Sequence, residues 1–185
     1  MNNFLLEGEP GVGKTTLLYN IAKKISHLDI GGFYTKEIRE NKKRVGFRID
    51  TFSDRSGILS HINLNHGPRV GKYKVNVSEF EIIGVTELKR ALLESRVILV
   101  DEIGKMELYS NQFKEIIMRC FDSPKILIAT IMAHAHPFVD SLKKRPDIKL
   151  MRVTRENRDK LELALINEIR SPSFSKLALN RHSNW

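Results

Sequence analysis

Residues 8–15 read Gly8-Glu9-Pro10-Gly11-Val12-Gly13-Lys14-Thr15, a match to G-x-x-x-x-G-K-[ST] at every fixed position. The glycines let backbone N–H groups turn toward one point with no Cβ in the way, which makes a nest for an anion. The motif works only between a buried strand and a helix whose N-terminus faces the same anion. The flanks supply both. Phe4-Leu5-Leu6 is a short apolar run that reads as a buried strand. Leu17, Leu18, Ile21, Ala22 and Ile25 fall on one helical face, so a helix begins near Lys14. In that setting residues Gly8 to Thr16 cradle the phosphates of a nucleotide. Lys14 supplies a point charge to the β- and γ-phosphates, and Thr15 presents a hydroxyl to Mg²⁺.

A second apolar run, Val97-Ile98-Leu99-Val100, ends in Asp101-Glu102. A carboxylate at the tip of a second strand holds Mg²⁺, usually through water, and Asp101 fits that role. Glu102 then lies just beyond the strand end, where it can orient or deprotonate an attacking water. An acidic helix cap or solvated turn is the alternative, and the loop upstream argues against it. The expected nucleotide site therefore adds Val100, Asp101, Glu102, Ile103 and Gly104 to the loop. Lys14 and Glu102 are its catalytic candidates, and Thr15 and Asp101 its metal ligands.

The rest of the chain alternates. Apolar runs at 97–100, 126–129 and 148–153 read as strands. Helical spacing follows at 113–121, 136–144 and 157–169. Nearly continuous apolar strands separated by helices mean a mostly parallel sheet covered on both faces. Residues 30–62 read instead as an antiparallel strand insertion with a charged turn at Asn41-Lys42-Lys43-Arg44. Residues 63–80 read as loop and irregular strand, and 86–94 as a short helix. The reading gives one α/β domain over 1–170 and a loosely ordered tail over 171–185.

The formal net charge is +9, from 31 Lys+Arg against 22 Asp+Glu, which points to an anionic partner. The excess concentrates in 36–48 and 143–160, net +4 and +5. With Phe33, Tyr34 and Phe47 nearby, the first stretch has the composition of a single-strand binder. A surface rich in Lys, Arg and Glu, as in thermophiles, explains both stretches more simply. The single Cys120 excludes a disulfide framework and a cysteine-based zinc site, and on an apolar helical face it packs. No apolar run nears the roughly 18 residues of a membrane span, and Met1 to Glu7 does not read as a signal peptide. The expectation is a cytoplasmic protein, a monomer or weak oligomer with no membrane partner.

The two motifs resemble the phosphate-loop nucleoside-triphosphatase family of thermophiles, relatives of the cancer-related nucleoside triphosphatase. The likeness runs through Gly8 to Thr16 and Asp101-Glu102-Ile103-Gly104-Lys105-Met106-Glu107-Leu108. It continues in Gly32 to Arg39, Val70-Gly71-Lys72-Tyr73, His136-Pro137 and Val153 to Asp159. It covers about residues 1 to 170. The resemblance implies a RecA-like or AAA-like core and Mg²⁺-dependent hydrolysis of ATP, GTP and other nucleoside triphosphates with little base preference. A transition-state arginine in a monomer must come from the same chain. Arg152, Arg155 and Arg158 follow a late strand and are candidates, although a solvated basic helix start is the simpler reading of each.

Other residues stay open. His134 and His136 line the site or the surface. Thr130 is a candidate γ-phosphate sensor. Glu107 is either a partner of the acidic pair or a helix cap. Two rival functions share this core. One is a nucleotide or nucleoside kinase, which needs an acceptor pocket. The other is an RNA- or DNA-binding protein that uses hydrolysis as a switch.

Overall fold

The computed structural model describes residues 2–171, and the tail expected to be loose lies, beyond Ser171, outside the described residues. The chain runs β1 (Asn3–Glu7), α1 (Lys14–Lys24), β2 (Ile30–Glu40), β3 (Lys43–Thr51), β4 (Ser56–His61), β5 (Arg69–Val70) and β6 (Tyr73–Val75). A helical stretch follows as α2 (Val77–Phe80), a π-helical turn (Glu81–Val85) and α3 (Thr86–Glu94). Then come β7 (Val97–Ile103), a 3₁₀ turn (Glu107–Tyr109), α4 (Asn111–Phe121), β8 (Ile126–Ile131), α5 (Pro137–Lys143), β9 (Ile148–Arg152) and α6 (Arg158–Arg170).

The strands form a single sheet in the order β5-β6-β4-β3-β2-β7-β8-β1-β9. From β2 to β9 every pairing is parallel. The other half, β2 to β5, is antiparallel; β2 to β4 are the expected insertion at 30–62, and β6 and β5 extend it beyond those bounds. The continuous apolar runs follow from burial on both faces. Leu5, Ile98, Val100, Leu127 and Ala129 turn to one core with α3, α4 and α5. Phe4, Leu6, Val97, Leu99, Ile126 and Ile128 turn to the other with α1 and α6. Among the described residues, no helix is long and apolar enough to cross a membrane.

Two expectations change. Helix begins at Val77 and runs through the π turn to Glu94, where 63–80 reads as loop and irregular strand. Asn76 caps it, its side chain accepting from the Glu79 amide at 3.3 Å. Phe80 then packs its ring on Phe33 and Phe113, at centroid distances of 5.6 and 5.3 Å. Val75, Val77 and the β-branched run Ile82-Ile83 around the cap read as strand as readily as helix, so periodicity alone passes over it. The second change is that β7 continues to Ile103. Its register with β8 shifts after Val100 and resumes at Ile103 opposite Ile131. Asp101 and Glu102 therefore occupy an irregular section of the strand, with the peptide between them cis, and Glu102 is not beyond the strand end.

Gly32 draws β2 close to β7. Its φ is +107°, and a Cβ there would lie 2.0 Å from the Leu99 carbonyl oxygen. Its N–H donates to buried Glu87 at 3.1 Å. We expect Gly32→Ala to cost about 3 kcal/mol or more, combining backbone strain with the clash. For a domain of this size that lowers Tm by roughly 6 °C or more in a thermal melt.

Candidate active site

The loop between β1 and α1 has the backbone the motif needs. Gly11 and Gly13 have φ of +80° and +100°, which a side chain disfavours, and Gly13 caps α1. Gly8 lies against the end of β9, where a Cβ would come 2.6 Å from the Val153 carbonyl oxygen. The Val153 amide in turn donates to the Glu7 carbonyl at 2.6 Å. Glu9, Pro10 and Gly11 are exposed, and Val12 packs against the α1–α6 core. Lys14 folds back along the loop, its Nζ donating to the Gly8 carbonyl at 2.7 Å and the Glu9 carbonyl at 3.4 Å. The same Nζ is 3.6 Å from Glu102 Oε1.

The parallel sheet brings the acidic pair to the loop. Asp101 is 2% exposed, and Thr130 Oγ1 donates to its Oδ1 at 2.6 Å. Among the described residues, Oδ2 has no hydrogen-bond partner, although it is buried. Burial raises the Asp101 pKa, while the Thr130 and Thr15 hydroxyls, the Thr35 backbone amide and the Lys14 charge favour the carboxylate. Burial also raises Glu102, with Lys14 drawing it down and Asp101 pushing it up. A groove of about 620 Å³ runs along this edge, lined by the loop from Pro10 to Thr16, by Asp101 and Glu102, and by Thr35, Lys36, Glu37 and Phe47.

The unpartnered Asp101 oxygen bears on the metal expected from sequence. A buried carboxylate oxygen without a donor is costly unless something neutralises it. Asp101 and Thr15 line the same groove. An all-oxygen pair of this kind suits Mg²⁺, which is held by one or two protein groups plus substrate phosphates and water.

Other expected residues lie elsewhere. Val100 and Ile103 turn their side chains into the core and do not line the groove. Gly104 is pressed between two carboxylates, a Cβ there lying 3.0 Å from Glu107 Oε2 and 3.1 Å from Glu102 Oε2. Thr130 is fully buried and donates to Asp101, so it supports the carboxylate and does not reach into the groove. Of the three arginines, Arg158 packs on the phosphate loop, where a Cβ on Gly13 would meet its Nη1 at 2.8 Å. Arg152 and Arg155 are exposed. His134 is exposed beside a neighbouring cavity, and the His136 ring nitrogen caps α5 by accepting from the Phe138 amide at 3.2 Å. Cys120 is buried, with its thiol pushed up to about 12 by burial.

Glu107 opens the 3₁₀ turn and is 4% exposed. Burial pushes its pKa up to about 8; the Glu102 charge adds to the rise, and its own amide and that of Gly104 oppose it. It is thus both a turn-opening residue and a neighbour of the acidic pair. From its ordinary 4.5 up to about 8 the folded chain holds a proton that the unfolded chain has released. Stability from Glu107 therefore falls as pH rises through that window, by up to about 1.4 kcal/mol per pH unit. Urea unfolding at pH 5 and pH 8 should show this drop, and Glu107→Gln should flatten it.

Thr35, Lys36, Glu37 and Phe47 are lining residues that sequence reasoning does not assign to the site. Phe33 pairs with Val100, so Thr35 lies two residues on, beside the acidic pair. β3 pairs Phe47 with Glu37 on the same rim. Only the register between distant strands reveals them. The nearest sequence signal is their place beside Gly32-Phe33 in a strand-like run.

The model of the NTPase family matches residues 3–167. This chain belongs to the NTPase family. Among this NTPase's relatives, a protein of Thermotoga maritima called nucleoside-triphosphatase THEP1 is 48% identical over 179 residues, 96% of each chain. The crystal structure of THEP1 from Aquifex aeolicus superposes with a TM-score of 0.83 at 35% identity, covering 91% of this chain and 99% of that one. The solution structure of a human cancer-related nucleoside triphosphatase gives 0.79 at 34% identity, covering 93% and 99%. The NTPase-like α/β core read from the sequence is the fold these structures share.

Proposed function

We propose that this chain hydrolyses nucleoside triphosphates to diphosphate and phosphate with Mg²⁺, accepting ATP, GTP and others with little regard to the base. The observation that carries the reading is the meeting of Lys14 and Glu102, 3.6 Å apart, at the mouth of an anion-binding loop. The breadth is supported by the relatives' name, nucleoside-triphosphatase, which specifies no base.

The loop amides and the α1 N-terminus bind the phosphates. Lys14 exchanges its bond to the Gly8 carbonyl for phosphate oxygens and stabilises the charge that spreads over them during transfer. Glu102 accepts a hydrogen bond from water and aims it at the γ-phosphorus. Thr15 and Asp101 would hold Mg²⁺, which when bound neutralises charge on the phosphate oxygens. Thr130 keeps Asp101 in place through the 2.6 Å bond. Of the three candidate arginines, Arg158 is the one packed on the phosphate loop, at Gly13.

Nucleic acid is not required by this reading. Many cations of the basic stretches are engaged locally. Arg39 and Arg44 pair with Glu37, and Lys36 and Arg48 with Asp50. Lys143 pairs with Glu7, Arg145 with Asp122 and Asp147, and Lys149 with Glu168. The first stretch lies on β2 and β3 and the second runs through β9, four and five places away in the sheet, about 19 to 24 Å at the usual strand spacing.

Phosphate release from ATP, GTP, CTP and UTP tests the reading. We expect turnover of all four within about tenfold of one another, as a site that does not read the base allows. Turnover should stop with EDTA and return with Mg²⁺. Strict preference for one base, or hydrolysis indifferent to EDTA, would contradict it.

A further inference from the structure

Beyond Glu102, next to the phosphate groove, lies a second cavity of about 290 Å³. Lys14, Thr35, Phe47 and Glu102 line both spaces, so the two share a wall. Thr15, Thr16 and Gly13 line the groove alone. A phosphate chain held by the loop, with its terminal group at Lys14 and Glu102, would end where the cavity begins.

Hydrolysis alone does not account for this space. One water takes about 30 Å³, so the cavity has room for a body roughly ten times larger. Much of its wall is apolar. The antiparallel insertion contributes Phe47, Leu59 and Val70, and the segments after β7 and β8 contribute Met106 and Met132. Methionine adapts to flat or irregular bodies. The carboxylates in the lining are Glu102 and buried Glu107, while Lys105 and His134 are exposed. Lys14 offsets Glu102, so the lining carries no strong excess of either charge, and the apolar walls oppose a charged occupant. The group facing the phosphates is Glu102, a hydrogen-bond acceptor.

We propose that this cavity binds a neutral, ring-bearing alcohol of up to nucleoside size, and that the γ-phosphoryl group passes to its hydroxyl in competition with water. The proposal rests on the reading of the groove as a nucleoside-triphosphate site. The hydroxyl oxygen forms a bond to the γ-phosphorus. The bond from that phosphorus to the β,γ-bridging oxygen breaks, and the nucleoside diphosphate leaves with its electron pair. The hydroxyl proton passes to Glu102 and then to solvent. The product is a phosphate monoester, and no redox change occurs. The insertion acquires a function on this view, since it closes the cavity from one side.

The test incubates the full chain with Mg²⁺ and ATP, adding adenosine, uridine, thymidine or benzyl alcohol in turn. Diphosphate, inorganic phosphate and phosphate ester are measured separately. The expected result is diphosphate in excess over inorganic phosphate with at least one alcohol, matched by its phosphate ester. Val70 sits on the two-residue β5 and lines the cavity without touching the groove. Val70→Trp should fill the space and cut ester formation at least about tenfold. Phosphate release without acceptor should stay within about twofold. Met106→Trp fills it from the segment after β7 and should do the same. If diphosphate equals inorganic phosphate with every alcohol, the acceptor proposal falls while hydrolysis stands. Ester formation that both fillings leave intact would also overturn the assignment to this cavity. If no diphosphate forms under any condition, the reading of the groove fails first.

Discussion

Lys14→Ala should lower phosphate release from nucleoside triphosphates by roughly 10³-fold or more, the scale set by removing a donor aimed at developing negative charge. The loop amides and the α1 N-terminus would remain, so nucleotide would still bind, more weakly. The missing part is the one full positive charge that reaches the terminal phosphate. Lys14→Arg should rescue little. The Nζ lies within 2.7 Å of the Gly8 carbonyl and 3.6 Å of Glu102, a gap suited to a compact ammonium and not to a planar guanidinium. The fold should survive, because Lys14 contributes no core packing. A steady-state phosphate assay with a thermal melt separates the two effects. Turnover within tenfold of the parent would show that Lys14 is not the charge on which transfer depends.

Glu102→Gln should bind nucleotide as well as the parent or better and lose turnover by about 10²- to 10⁴-fold, the usual contribution of a positioned base. Gln is nearly isosteric, so the wall between groove and cavity keeps its shape. It removes one negative charge 3.6 Å from Lys14, which relieves repulsion toward phosphate. It also removes the acceptor for the water proton. Burial raises Glu102 while Lys14 holds it down, so its charge is tied to that lysine. In Lys14→Ala the Glu102 pKa should therefore rise, and residual activity should shift its acid limb to higher pH. Nucleotide titration beside a turnover assay reads both parts of the prediction. Weak binding with normal turnover per bound nucleotide would contradict the role.

Much of the site is legible in residues 8–15 and 97–102 because each part is local. A glycine-rich turn, a following helix and an acidic strand end are each written in adjacent residues. The parallel half of the sheet is legible for a related reason. Strands buried on both faces must be apolar throughout, as 97–100 and 126–129 are. The rest depends on contacts between distant segments. Thr35 and Phe47 join the groove only through the registers of β2 with β7 and β3. The bond from Thr130 to Asp101 needs two neighbouring strands in a fixed register, so the same Thr reads from sequence as a free sensor. Glu107 stays open between a partner of the acidic pair and a helix cap until the chain folds over it. Arg158 stands out from Arg152 and Arg155 only when α6 packs beside Gly13. The basic stretches mislead partly by omission, since beside Glu37 and Asp147 within them the partners Asp50, Glu7, Asp122 and Glu168 lie outside.

Hydrolysis in ¹⁸O-labelled water tests the central claim most directly. The account predicts that during turnover of ATP with Mg²⁺ the label enters inorganic phosphate and none enters the diphosphate, because water held by Glu102 attacks the γ-phosphorus. Label in the β-phosphate of the diphosphate would contradict it, as would phosphate release that persists undiminished in Glu102→Gln.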